Sequence, residues 1–162
     1  AVWNSTAPTS TVFSVGADAG NASRGGGPAV AFCWHSVEGY SKIGKYGGGD
    51  NAGSAPDLDG AYVETGFRPA WLLVKRVNAD GDPWILLDST RDQKNFAFRG
   101  QQPNNAVADP TSGDSYACDF LANGFKWRTA NAGVNNASAT YIYVCFAENP
   151  TGGENAPPAN AR

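Results

Sequence analysis

The sequence predicts an all-β fold, an antiparallel β-sandwich or jelly roll, and three observations predict it. No stretch of a dozen residues repeats apolar side chains at the spacing of an amphipathic helix, and Gly or Pro interrupts nearly every candidate. The chain of 162 residues holds 20 Gly and 10 Pro among many Asn, Ser and Thr, the residues that make turns. Its apolar residues gather instead in short β-branched and aromatic runs between turn signals.

Taken in order, the first such run is Ala29-Val-Ala-Phe-Cys-Trp34, released by the break Gly25-Gly-Gly-Pro28. Ala70-Trp-Leu-Leu-Val-Lys-Arg76 and Trp84-Ile-Leu-Leu87 flank Asn78-Ala-Asp-Gly-Asp-Pro83, whose Asp-Gly and Pro favour chain reversal and a hairpin. Phe96-Ala-Phe98 is a short alternating strand. Phe120-Leu-Ala-Asn-Gly-Phe-Lys-Trp127 places Asn-Gly between aromatic flanks, a second hairpin signal. Thr140-Tyr-Ile-Tyr-Val-Cys-Phe146 is the strongest strand in the chain, β-branched or aromatic almost throughout. Residues 151–162 carry two prolines and no apolar periodicity, and an extended Pro-rich tail is expected there.

The order of elements contains a partial repeat. A shift of 112 positions lays Phe13 on Phe125, Val30 on Ile142, Cys33 on Cys145 and Trp34 on Phe146. Each copy also places Asn-Ala-Ser before its apolar run, at Asn21–Ser23 and Asn136–Ser138. Residues 1–150 are therefore read as one β-sandwich domain, in which 1–37 are the closing strands of a preceding repeat-like unit and 38–149 the main unit. The chain has no Met and begins Ala-Val-Trp, so a segment of a longer protein is expected.

Charge excludes some function classes. Charged residues make up only 17% against about 25% in an average domain. The net charge is −3, and Lys75-Arg76 is the only adjacent basic pair, so the cationic stripe that displaces counterions from nucleic acid is missing. No apolar run approaches the roughly 18 residues that span a bilayer. No nucleic-acid or membrane partner is expected. The three cysteines, Cys33, Cys118 and Cys145, are an odd number with apolar or aromatic neighbours, and are expected to be buried, inert thiols.

Chemistry finds little purchase. His35, the only histidine, stands two residues after Cys33, so on a strand both would face one side without a third group to orient the base. Neither residue has the three or four partners of a zinc site. Among the carboxylates Glu64, Asp88, Asp92, Asp119 and Glu148, only Asp88 and Asp92 (with Asp57 and Asp59 in a loop) stand at glycosidase-like spacing, and Arg91 between the first two suits a turn better. Asp80, Gly81 and Asp82 lack the Glu that completes a calcium loop. Asn4, Asn21 and Asn136 open Asn-x-Ser/Thr sequons, read here as turn residues. No catalytic, cofactor or metal residue is assigned, and the chain is expected not to be an enzyme. Trp34, Trp71, Trp84 and Trp127 read as core. Trp3, Tyr40, Tyr46 and Tyr62 lie among Gly, Ser and Asn, where aromatic rings tend to be half exposed, and are the candidate binding surface.

Several stretches resemble a known family. They are Trp3-Asn-Ser-Thr-Ala-Pro-Thr-Ser-Thr-Val-Phe-Ser-Val-Gly16, Cys33 through Tyr46 with Glu38-Gly-Tyr-Ser-Lys42, Thr65-Gly-Phe-Arg-Pro-Ala-Trp71 onward to Arg76, Asp119-Phe-Leu-Ala-Asn-Gly-Phe-Lys126, and Ala139 through Pro150. Together they resemble the lectin-like, concanavalin-type β-sandwich that recurs in tandem in bacteriophage tail-fibre and other virion-surface proteins. The resemblance implies a non-enzymatic structural protein of the virion surface, outside the cell: a tail-fibre, head-fibre or capsid-decorating module. The partners it implies are copies of itself and other virion proteins, with a cell-surface glycan as a further class. The other expectation is a carbohydrate-binding module of a secreted polysaccharide-active protein.

Overall fold

Alternation along one strand sets the architecture. From Thr140 to Ala147 every second side chain, Tyr141, Tyr143, Cys145 and Ala147, is buried, and the strand is paired on both sides. The computed structural model describes residues 4–16, 30–49, 57–110 and 113–150. Its elements there are β1 Ser41–Gly47, β2 Tyr62–Glu64, β3 Pro69–Arg76, β4 Ile85–Asp88, β5 Cys118–Leu121, β6 Gly124–Trp127, the helical turn α1 Ala132–Asn135 and β7 Thr140–Ala147. They form two antiparallel sheets, ordered β1-β7-β3-β4 and β2-β6-β5, packed together as a β-sandwich.

The core lies between the sheets. The four-stranded sheet contributes Tyr46, Leu72, Val74, Ile85, Leu87, Tyr141, Tyr143 and Cys145, and the three-stranded sheet Val63, Cys118, Phe120, Phe125 and Trp127. Phe125 is its hub, meeting the rings of Tyr46, Trp127 and Tyr143 edge-on at 5.5–6.0 Å. Edge-to-face packing of this kind adds about 0.5–1.5 kcal/mol per pair to simple burial.

Both expected hairpins form, as β3–β4 and β5–β6. In the first, Gly81 takes a φ of +90°, the conformation for which Asp-Gly is suited. In the second, the two-residue turn is Ala122-Asn123, not Asn-Gly, because Leu121 already pairs with Gly124. Gly124 is needed for another reason: a Cβ there would sit 2.1 Å from the carbonyl oxygen of Val63 on β2. Phe96-Ala-Phe98 makes only a single bridge, Ala97 to Cys118, and is not a strand.

Two strands are absent from the sequence reading. β1 reads Ser-Lys-Ile-Gly-Lys-Tyr-Gly, with two glycines and two lysines, and it owes its conformation to seven paired positions on β7. Gly44 is required there, since a Cβ would come within 2.9 Å of the Tyr143 ring. β2 is only three residues long. At Ile43 the free edge of β1 is capped by a side chain: Ser36 Oγ accepts from the Ile43 N–H at 3.0 Å and donates to the Ile43 carbonyl at 3.4 Å.

The chain divides into two compact units, Ala1–Trp34 and His35–Arg162, and the sandwich is the second. In the first, Thr9 makes a turn in which its N–H reaches the Val12 carbonyl at 2.8 Å and its Oγ1 accepts from the Val12 N–H at 3.1 Å. The expected strand at Ala29–Trp34 is not formed over its described residues 30–34. By the internal repeat its counterpart is β7, which pairs with β1 and β3, and in this chain β7 itself holds that place. Cys33 and Trp34 are accordingly exposed, against the expectation of a buried thiol and a core ring. Cys118 and Cys145 are buried as expected, Trp127 is fully buried, and Trp71 and Trp84 are half-buried. The tail at 151–162 and the Asn-Ala-Ser at 21–23 lie outside the described residues.

Candidate functional site

The two outer faces of the sandwich differ in chemistry. On the three-stranded sheet, Tyr62, Lys126 and Asp119 stand in one cross-strand row. Lys126 is paired with Asp59, and Asp119 with Arg128 at 3.2 Å. The exposed Asp59 carboxyl is held below its usual range by its bond to Lys126. That is the ordinary solvated face of an antiparallel sheet.

The four-stranded sheet turns an apolar face outward. Its buried residues alternate with Ile43 on β1, Ile142, Val144 and Phe146 on β7, Trp71 and Leu73 on β3, and Leu86 on β4. The registers align Ile43, Val144, Leu73 and Leu86 in one row across all four strands. The adjacent row holds Phe146 and Trp71, with ring centroids 5.4 Å apart, and the Tyr40 ring meets Phe146 edge-on at 5.7 Å. Lys45 and Lys75 rim one end of the face through their pairing with Ile142. Asp88 rims the other, paired with Trp71. Burial works against its ionisation, but the backbone N–H and guanidinium of Arg91 and the Thr90 N–H outweigh it and hold the carboxyl below its usual range. The Arg91 Nε lies 2.5 Å from it.

A cleft of about 500 Å³ opens between the 36–42 turn and the corner after β2, walled by Ser36, Glu38, Gly39 and Lys42 on one side and Glu64, Thr65 and Gly66 on the other. A smaller pocket of about 210 Å³ lies among Phe98, Gln102, Pro110, Tyr116 and Asn131. In it the Gln102 side chain donates to Tyr116 Oη at 2.9 Å.

The four candidate aromatics do not converge. Tyr40 and Tyr62 are exposed as expected, but apart: Tyr40, in the turn before β1, lies against Phe146 of the four-stranded sheet, and Tyr62 stands opposite Lys126 on the three-stranded one. Each borders one wall of the cleft in sequence, beside Gly39 and two residues before Glu64, and neither lines it. Tyr46 is a correction. Only 9% exposed, it stacks on Tyr141 at 4.9 Å and donates its hydroxyl to the Val134 carbonyl at 2.7 Å, so it is a core residue and not a binding surface. Its neighbouring glycines signalled a loop, but they admit close pairing instead. Trp3 lies outside the described residues. Among the carboxylates, Glu148 pairs with Arg68 at 2.8 Å, and Asp92 accepts the N–H groups of Phe98 and Arg99 at 2.9 and 2.8 Å. His35 is exposed, with Nδ1 3.1 Å from the Ser36 carbonyl.

The outward apolar residues escaped the sequence reading because Ala70–Arg76 and Thr140–Phe146 are apolar on both faces, and an unbroken apolar run looks like a fully buried strand. The signal that finds them is register: only pairing shows that one side of four strands is continuous. No helix among the described residues is long and apolar enough to cross a membrane. A model of the family described as a domain of unknown function, DUF7483, matches residues 1–150. No curated protein and no solved structure matches the chain.

Proposed function

We propose that this chain, which belongs to the DUF7483 family, is a non-enzymatic structural protein of a phage virion surface. In this reading it is a tail-fibre, head-fibre or capsid-decorating module whose partners are copies of itself and other virion proteins. The observation that carries the reading is the outward face of the four-stranded sheet. A solvated antiparallel sheet alternates apolar-in with polar-out, and the three-stranded sheet of this same molecule does so. A row of Ile43, Val144, Leu73 and Leu86 beside Trp71 and Phe146, each half-buried, is instead apolar where that rule calls for polar side chains, which supports a surface that meets a partner. The setting rests on the resemblance of the stretches named above, within residues 1–150, to tandem sandwich modules of tail fibres. The test is composition: particles purified from lysates of the host should contain the chain by mass spectrometry, and an antibody raised against it should decorate them in electron micrographs. Particles free of the chain would refute the reading.

A second reading, a carbohydrate-binding module, is favoured by the cleft between Glu38 and Glu64, with the exposed Tyr40 and Tyr62 adjoining its wall residues in sequence. Aromatic rings beside polar groups suit sugars, which present apolar and hydroxyl faces together. Glycan-array binding that is lost with Tyr62→Ala and Glu64→Ala would favour this reading over the first.

A further inference from the structure

The first unit of the chain displays an apolar segment of its own. Over residues 30–34, which form no strand, Val30, Phe32 and Trp34 are 81%, 75% and 51% exposed, with the rings of Phe32 and Trp34 stacked at 6.2 Å. Full burial of each such side chain is worth about 1.5–3 kcal/mol, so a segment displaying three of them to water carries a standing incentive to find a partner. The internal repeat makes it the counterpart of β7, with Val30 matching Ile142, Phe32 matching Val144 and Trp34 matching Phe146. These are the same apolar positions that β7 itself turns outward.

We infer that the outward face of the four-stranded sheet seats the Val30–Trp34 segment of a second copy of this chain. The sheet offers the row Ile43, Val144, Leu73 and Leu86, flanked by the Trp71 and Phe146 rings, and the segment offers an exposed valine and two stacked aromatic rings. The two surfaces belong to separate compact units of one chain. They are also different surfaces, so the contact is heterologous: each copy gives a segment and receives one. Such contacts close into rings or extend into filaments, except where two copies exchange segments reciprocally. The inference concerns the purified chain in solution and holds whether or not the assembly it builds is a virion.

The difference between the two surfaces makes the test a complementation. One variant, Phe32→Asp with Trp34→Asp, loses the donor segment; these positions lie outside the sandwich strands, so its fold is left intact. The other, Ile43→Lys with Ile142→Lys, loses the seat, and its circular dichroism and urea midpoint establish that it folds. Sedimentation velocity of the full chain between about 1 and 200 µM should show association that grows with concentration. Each variant alone should sediment as a monomer of 16.9 kDa. Mixed in equal amounts they should form a pair and nothing larger, because one good seat and one good segment remain. A wild-type chain that stays monomeric over the range overturns the inference. So does undiminished self-association of either variant, or a mixture that fails to pair.

Discussion

Tyr46 Oη donates to the carbonyl oxygen of Val134 at 2.7 Å, so a strand near the start of the sandwich is bonded to a helical turn 88 residues away. Both ends are buried, and burial pushes the Tyr46 phenol well above its usual range, in the direction that favours the donor form. Tyr46→Phe removes the donor and leaves the Val134 carbonyl unmet without changing packing. We expect a loss of about 1–3 kcal/mol in urea unfolding at unchanged m. A loss below about 0.5 kcal/mol would mean that water replaces the hydroxyl.

Asn135 joins three segments. Its Oδ1 accepts from the N–H groups of Gly49 at 2.7 Å and Ala61 at 3.2 Å, and its Nδ2 donates to the Thr129 carbonyl at 2.7 Å. The side chain is fully buried, so Asn135→Ala strands three backbone groups at once. At about 1–3 kcal/mol per unmet group the loss should exceed that of Tyr46→Phe, to about 3 kcal/mol or more. Equal losses from the two variants would contradict this ranking.

The fold was largely legible where a local signal and the tertiary structure agree. Thr140–Phe146 and Ala70–Arg76 are strands by composition and by pairing, and both hairpins sit where turn residues announced them. β1 was not legible, because nothing in Ser-Lys-Ile-Gly-Lys-Tyr-Gly favours a strand until β7 lies beside it. Tyr46 misled for the same reason. Val30–Trp34 failed in the opposite sense: its strand composition is genuine, but the ladder position it matches is filled by β7. Asn135 gave no signal, since a buried amide and a turn amide look alike in sequence. The candidate surface was half legible. Tyr40 and Tyr62 are exposed, but the sheet face that Tyr40 borders emerges only from register.

Gly124→Ala tests close approach as opposed to turn geometry. The new methyl group would press on the Val63 carbonyl, a backbone atom that cannot rotate away, so β2 must separate from β6. We expect about 1–3 kcal/mol of destabilisation, and faster amide exchange at Val63 and Glu64 than at Cys118–Leu121. Uniform exchange across the three-stranded sheet would point to the turn as the cause.

Thiol and phenol ionisation predict alkaline sensitivity. Burial pushes Cys145 and Tyr143 up to about 12, and Cys118 well above the usual thiol value. Unfolded thiols ionise near about 8.5 and phenols near about 10. The folded state therefore holds protons that the unfolded state releases, and this contribution to stability is complete below about pH 8.5 and lost as pH rises toward 12. The urea midpoint should fall between pH 8 and 10.5, and Cys118→Ala with Cys145→Ala should flatten part of the fall. At pH 7.5 a thiol reagent should label Cys33 within seconds to minutes, and the other two only as the protein opens. Rapid labelling of all three would contradict the burial on which the argument rests.

The hydroxyl of Ser36 on the edge of β1 bears on what kind of polymer this protein can become. An open sheet edge is a template for cross-β growth, in which strand adds to strand without limit and the product is amyloid. With the Ile43 N–H and carbonyl both occupied, the neighbouring segment can add to another copy's face but finds no continuous backbone rail along β1 to extend. The Ser36 hydroxyl thus interrupts that edge at Ile43, and Ser36→Ala should shorten the thioflavin lag time under agitation even where the melting temperature is unchanged.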